Sequence, residues 1–89
     1  MYKRQVQFRE LSGFRTAYFE LSSEDARHVS IIGNYACYRY SDRCDFTDML
    51  MSDGSHSLRS LGDMNVSIVA RWHGGDGHKN AAGFKPLVL

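Results

Sequence analysis

The sequence predicts an α/β or α+β fold, a single two-layer domain in which helices pack against a central mixed β-sheet. The 89 residues are 43% hydrophobic and 12% aromatic, the composition of a folded domain with one modest core. Apolar residues alternate at period two in some segments and recur at helical spacing in others. These segments interleave along the chain without a linker or an internal repeat, as expected of strands and helices around one sheet.

The first half of the chain is predicted to form two strands and a helix. Apolar and polar residues alternate around Val6 and Phe8, and residues 14–21 are rich in aromatic and β-favouring residues. Residues 23–39 are predicted as a helix, because serines precede two carboxylates at its start and apolar residues follow at helical spacing. Gly33 weakens this helix prediction.

The next segment is predicted to form a hairpin and a second helix. The turn signal Asp53-Gly54 separates an apolar strand of uncertain register from residues 55–60. Asn65 is a candidate N-cap for a helix that stops at Gly74.

A shorter helix and a final strand are predicted to complete the fold. The helix is expected from near His78 to Gly83, and the strand over residues 84–89. This strand is expected at an edge of the sheet, because Pro86 has no N–H group to donate.

Charge is unevenly distributed, although the formal net charge is only +1. The first and last thirds are basic and the middle is acidic, which permits a local anion site but argues against a broad duplex-DNA-binding surface. A solvated acidic face is predicted for four carboxylates that match neither an EF-hand nor a metal dyad: Asp42, Asp45, Asp48 and Asp53.

The cysteines and the hydropathy point to a reduced, cytoplasmic protein without a membrane partner. Cys37 and Cys44 lack the paired spacing of a zinc site, and they are predicted to be free thiols. No segment approaches the roughly 20 apolar residues that span a bilayer. For three tyrosines the helical spacing favours packing in a core or an interface over stacking on bases: Tyr35, Tyr38 and Tyr40.

The glycine-rich run over residues 74–84 is the most informative motif. Glycines let successive backbone N–H groups turn toward one concavity, and a helix that follows aims its free N–H groups at the same place. We therefore expect Gly75 and Gly77 to admit a phosphate and His78 to donate a ring N–H to it. Taken alone, such glycines are more often a helix C-cap and a turn.

Together with Ser57-Leu58-Arg59-Ser60, the glycine-rich run resembles the DHH-associated domain at the C-terminus of DHH-family phosphoesterases. That family includes RecJ-like exonucleases, nano-RNases and cyclic-dinucleotide phosphodiesterases. The two motifs enclose an amphipathic helix and cover residues 57–84. One position departs from the family pattern, which usually has glycine where this chain has Asp76.

The resemblance implies that residues 1–89 are one substrate-binding domain, the C-terminal piece of a longer phosphoesterase. An N-terminal DHH domain in cis would hold two metal ions, commonly manganese, and carry out the hydrolysis. This chain contains no Asp-His-His sequence, so we expect it to hold neither metal nor cofactor and not to catalyse hydrolysis alone.

The implied ligand is a short single-stranded oligonucleotide or a dinucleotide. The arginine offers a planar fork for a bidentate phosphate contact. The residues expected to bind the ligand are Ser57, Arg59, Ser60, Gly75, Gly77, His78, Lys79 and Asn80.

Two other functions stay open at this point. One is a stand-alone nucleic-acid-binding module, like the related C-terminal domain of alanyl-tRNA synthetases. The other is a structural or oligomerisation domain in which the glycine-rich run only packs. The Gly-His-Lys-Asn order favours the phosphoesterase hypothesis, and homodimerisation is left open.

Overall fold

The computed structural model describes residues 5–86, which form a six-stranded sheet and two α-helices. The elements in chain order are β1 (Gln7–Leu11), β2 (Phe14–Glu20), α1 (Val29–Arg39), β3 (Phe46–Leu50), β4 (His56–Arg59), α2 (Val66–Trp72), β5 (Asp76–His78) and β6 (Ala81–Phe84). The spatial order is β1-β2-β3-β4-β6-β5. The β2–β3 pair is parallel and the other neighbouring pairs are antiparallel. Within residues 5–86, no helix has the length and apolar character needed to cross a membrane.

The predicted α+β class with a central mixed sheet is confirmed, but the two helices pack on opposite faces. One core cluster contains Met49 and Ala36 of α1, and the other contains Phe46 and Val69 of α2. Phe46 and Met49 are three residues apart on β3, and successive side chains of a strand point to opposite faces. The predicted two-layer packing is therefore corrected to a sheet with a helix on each face.

The first predicted helix is confirmed in part, because its first residues form tighter turns. The Ser22 hydroxyl accepts a hydrogen bond from the Asp25 N–H at 3.3 Å and donates one to the Asp25 carboxylate at 3.1 Å. A short 3₁₀ helix, Ala26–His28, follows, and regular α-helix begins only at Val29. Gly33 is buried where α1 crosses the sheet, so its missing side chain serves packing.

The predicted short helix from His78 to Gly83 is wrong, because this segment forms the β5–β6 hairpin. Gly77 has a φ of +148°, which is incompatible with a helix. Ala82 and Phe84 are buried beneath α2 and Gly83 lies between them, a period-two pattern. By pairing with β4, this segment satisfies backbone groups that would otherwise form an exposed edge.

The last strand is also placed differently from its prediction. It begins at Ala81, ends at Phe84 and lies between β4 and β5, so it is internal to the sheet. Pro86 lies beyond it and removes no hydrogen bond from the ladder. Residues 87–89 of the predicted strand lie outside the described residues.

The predicted solvated acidic face is wrong for Asp48. Asp48 is only 6% exposed, and its Oδ1 lies 2.7 Å from His56 Nδ1. Burial raises the pKa of this carboxyl, and the hydrogen bond from His56 opposes that rise. Asp45 is partly buried and accepts the backbone N–H of Arg15 at 2.9 Å, which lowers its pKa. Asp42 and Asp53 are exposed.

The tyrosine and cysteine predictions have different outcomes. Tyr40 packs against the core, but Tyr35 and Tyr38 are 64% and 76% exposed, so core packing is wrong for those two. Cys37 and Cys44 are buried free thiols, as predicted. Burial is the main reason that the pKa of Cys44 is raised to about 11.

Candidate functional site

Strands β4, β6 and β5 bring the two sequence motifs side by side. In one row of the sheet, Arg59 lies opposite Ala81, which lies opposite His78. In the next row, Ser57, Gly83 and Asp76 lie opposite one another. Residues paired in this way point to the same face of a sheet. The predicted contact residues Ser57, Arg59 and His78 therefore share one face.

This face is open beside α1 and forms a groove of about 650 Å³. The helix packs over β3 and β4, while the small residues Ala81 and Gly83 leave free space above β6. We call this feature the Arg59 groove. Its lining residues are Met51, Ser55, His56, Ser57, Arg59, Gly75, Asp76, Gly77, Ala81, Ala82, Gly83, Phe84 and Lys85.

Arg59 is held in place by hydrogen bonds on two sides. Its Nη1 donates to Ser57 Oγ at 2.9 Å and to the Leu58 carbonyl at 3.0 Å. Its Nη2 donates to Ser30 Oγ, at the start of α1, at 3.3 Å. Its Nε is buried and has no hydrogen-bond partner among residues 5–86. The guanidinium is thus oriented but incompletely satisfied.

The charge of Arg59 is also uncompensated. Burial lowers the pKa of this guanidinium, and the nearby Cys37 acts in the opposite direction. In the described part of the chain no carboxylate forms an ion pair with Arg59. A half-buried cation without a counter-ion favours binding of an anion.

The glycines are explained first by close packing of the chain. A side chain at Gly75 would collide with the Gly83 carbonyl, and one at Gly83 would lie 2.8 Å from the His56 carbonyl. The Gly75 N–H donates to the Ala70 carbonyl at 2.7 Å, so it is not directed toward an anion. No helix follows Gly77, and the expected helix N-terminus behind the cradle is wrong.

Ser60 and Asn80 line a smaller cavity together with Arg59, while Lys79 precedes Asn80 in the turn between β5 and β6. The buried Ser60 hydroxyl donates to the Met64 carbonyl at 2.6 Å and accepts from Asn80 Nδ2 at 2.9 Å. These bonds hold together the loop before α2. Lys79 is exposed, and its Nζ lies 3.4 Å from Asp63 Oδ1.

Sequence reasoning missed three residues around Arg59. Ser30 and Asn34 of α1 line a second cavity, of about 320 Å³, that also contains Arg59 and Ala81. Lys85 lines the Arg59 groove itself. Strand register and the helix crossing bring these residues to the site, and neither was visible in the sequence pattern.

The described titratable groups were compared with the clusters that hold metal ions. Among residues 5–86, no group of three or more His, Cys, Asp or Glu side chains is placed to hold a metal ion. The close pair Asp48 and His56 lies on the α2 face of the sheet, because Asp48 and Phe46 are two residues apart on β3. The Asp48–His56 pair therefore lies on the face of the sheet opposite to Arg59.

Comparison with known proteins supports the fold alone. No family model and no curated protein sequence matches the chain. A solved structure of an uncharacterized protein from Helicobacter pylori G27 is 24% identical, with a TM-score of 0.72 over 92% of this chain and 23% of that chain. An exopolyphosphatase-related protein from Bacteroides fragilis is 22% identical, with a TM-score of 0.60 over 83% of this chain and 24% of that chain. The chain thus spans less than a quarter of the length of these structures.

Proposed function

We propose that this chain is the substrate-binding domain of a DHH-family phosphoesterase. Its Arg59 groove binds a phosphate group of a short single-stranded oligonucleotide or a dinucleotide. The observation that carries the proposal is Arg59 itself, a half-buried, oriented cation in the same sheet row as His78 that has no carboxylate partner among residues 5–86. A phosphate supplies the missing acceptor and the missing negative charge.

The dimensions of the sheet suit a phosphate between Arg59 and His78. The two residues lie on β4 and β5 with β6 between them, which separates their backbones by about 10 Å. Ala81, which lies between them in the sheet, has only a methyl side chain and leaves room for the ligand. Ser57, the hydrogen-bond partner of Arg59, adds a hydroxyl group, and Lys85 adds positive charge to the groove lining.

The structural comparisons are consistent with a phosphate ligand and with a larger enzyme. One structure with this fold is named as exopolyphosphatase-related, and this chain spans 24% of its length. Hydrolysis is proposed for an N-terminal DHH domain in cis that holds two manganese ions. The part proposed for residues 57–84 is to hold and orient the substrate phosphate.

Titration with 5′-phosphorylated diadenylate, followed by backbone amide chemical shifts, tests the proposal. We expect shifts that saturate at millimolar ligand and are concentrated at Arg59, Gly77 and His78. Arg59→Ala is expected to weaken binding by about tenfold or more, because a charged hydrogen bond is lost. The matched control is Arg71→Ala, which removes an exposed arginine from the last turn of α2.

Absence of shifts at 10 mM ligand, or shifts confined to the α2 face, would overturn the phosphate site. Equal loss of affinity in Arg59→Ala and Arg71→Ala would also count against it, since general charge would then explain binding. Either result favours the structural or oligomerisation function, in which the glycine-rich run only packs.

A further inference from the structure

Helix α1 carries an exposed apolar ridge that nothing in the described chain covers. Ile31, Tyr35 and Tyr38 are 70%, 64% and 76% exposed. Tyr35 follows Ile31 by four residues, and Tyr38 follows Tyr35 by three. The three side chains are therefore neighbours on one side of the helix. We call these three residues the α1 ridge.

The α1 ridge adjoins the phosphate site. The Ser30 hydroxyl accepts a hydrogen bond from Arg59. Asn34 lines the smaller cavity, which also contains Arg59 and Ala81 of the Arg59 groove. Tyr38 follows Asn34 by four residues, one helical turn along the same side. A ligand that leaves the groove past Asn34 therefore meets the ring of Tyr38 next, and then Tyr35.

The charge on the helical segment that carries the α1 ridge suits a polyanion with aromatic groups. The segment from Ala26 to Arg39 contains two arginines, Arg27 and Arg39, and no carboxylate. Both arginines are exposed. A membrane or an acidic protein surface would meet the same charge, but only a nucleic acid combines phosphates with flat bases that stack on tyrosine.

We propose that the α1 ridge is a stacking platform for the bases of a nucleotide ligand whose phosphate occupies the Arg59 groove. This inference rests on the proposed function and deepens it, because it assigns the surface that binds the bases of the proposed ligand. Tyr38 stacks on the base nearest to the bound phosphate, and Tyr35 with Ile31 extends the apolar surface for the next one.

The test compares two ligands with the same phosphate chemistry, 5′-phosphorylated diadenylate and inorganic tripolyphosphate, binding to the full 89-residue chain. The double variant Tyr35→Ala/Tyr38→Ala is expected to weaken diadenylate binding by about tenfold and to leave tripolyphosphate binding within about twofold. Arg59→Ala is expected to weaken both. Trp72→Ala is the matched control, because Trp72 is 62% exposed on α2, on the opposite face of the sheet.

The outcomes separate this inference from the proposed function. If the tyrosine variant keeps its diadenylate affinity while Arg59→Ala loses it, the stacking platform is overturned and the phosphate site stands. If neither ligand binds the unmodified chain, both proposals fail. A chain that sediments as a dimer, becomes a monomer in the tyrosine variant and keeps its diadenylate affinity would show that the ridge is an interface between copies and would overturn the platform.

Discussion

Arg59 and His78 share one row of the sheet, separated by the single small residue Ala81 of β6. The two residues come from the two motifs that lie about twenty positions apart in the sequence, and strand pairing across three strands brings them together. Arg59 lines the groove on this face, whereas His78 follows the lining residue Gly77 on β5 and is not itself among the lining residues. Under the proposed function, one phosphate contacts both residues at once.

Simultaneous contact predicts non-additive effects on affinity. If one phosphate bridges the two residues, removing either one already loses most of the joint contact. The affinity of the double variant Arg59→Ala/His78→Ala for diadenylate should then be only slightly below that of the single variant with the lower affinity. A double-mutant cycle measured by chemical-shift titration should give a coupling of about 0.5–3 kcal/mol. Strict additivity would indicate that the two side chains contact separate groups. His28→Ala, an exposed histidine outside the groove, is the control.

Asp76 lies in the neighbouring row, in line with Ser57 across Gly83, and it lines the same groove. Its carboxylate opposes an anion bound at Arg59, so Asp76→Asn should raise the affinity for tripolyphosphate by about two- to fivefold. The gain should shrink at high salt, because exposed charges are screened. Asp42→Asn, a change outside the groove lining, serves as the control. Unchanged or weaker binding in Asp76→Asn would mean that the carboxylate does not face the ligand.

The sequence allowed most elements to be predicted where local signals and final packing agree. Asn65 was predicted to cap α2, and its side chain accepts the Ser67 N–H at 3.0 Å. The β5–β6 hairpin was missed because Ala81 and Ala82 favour a helix locally, while the deciding forces are long-range. Those forces are pairing with β4 and burial of Ala82 and Phe84 beneath α2.

The candidate site was predicted in composition but not in geometry. The paired motifs indicated Arg59 and His78, and the strand register brings them into one row. The same motifs did not reveal that Ser60 and Asn80 bond to each other. Ser30 and Asn34 were missed because their positions depend on where α1 crosses the sheet, and tertiary packing decides that crossing.

Gly33 controls the approach of α1 to Arg59. A Cβ at this position would lie 2.6 Å from Arg59 Cγ and 2.6 Å from Met49 Cε. Gly33→Ala should therefore lower the free energy of unfolding by about 1 kcal/mol, since overpacking outweighs the gain in helix propensity. It should also weaken tripolyphosphate binding, because the Arg59 stem must move. Urea unfolding checks the first effect, with Asn34→Ala as an exposed control that gains propensity without collision. A more stable Gly33→Ala variant would contradict this packing.

Because Asp48 and His56 form a close pair, removing one partner is expected to lower the free energy of unfolding in a pH-dependent way. His56→Ala leaves the buried carboxylate unpaired and should lower the free energy of unfolding at neutral pH by about 3 kcal/mol. The raised pKa of Asp48 means that the folded chain holds this proton more tightly than the unfolded chain. The contribution of Asp48 to the free energy of unfolding is therefore fully present below the pKa of an unfolded aspartate, about 3.9. It is lost as the pH rises through the pKa of Asp48 in the folded chain.

Urea unfolding of His56→Ala should accordingly show higher stability at about pH 5 than at about pH 7. The double variant Asp48→Asn/His56→Ala lacks the titrating carboxyl, so its stability should vary less over the same interval and exceed that of the single variant at neutral pH. Because both variants lose the ring that stacks on Phe84 at a centroid distance of 4.8 Å, the comparison isolates the carboxyl. Identical pH profiles for the two variants would show that Asp48 is solvated once His56 is removed.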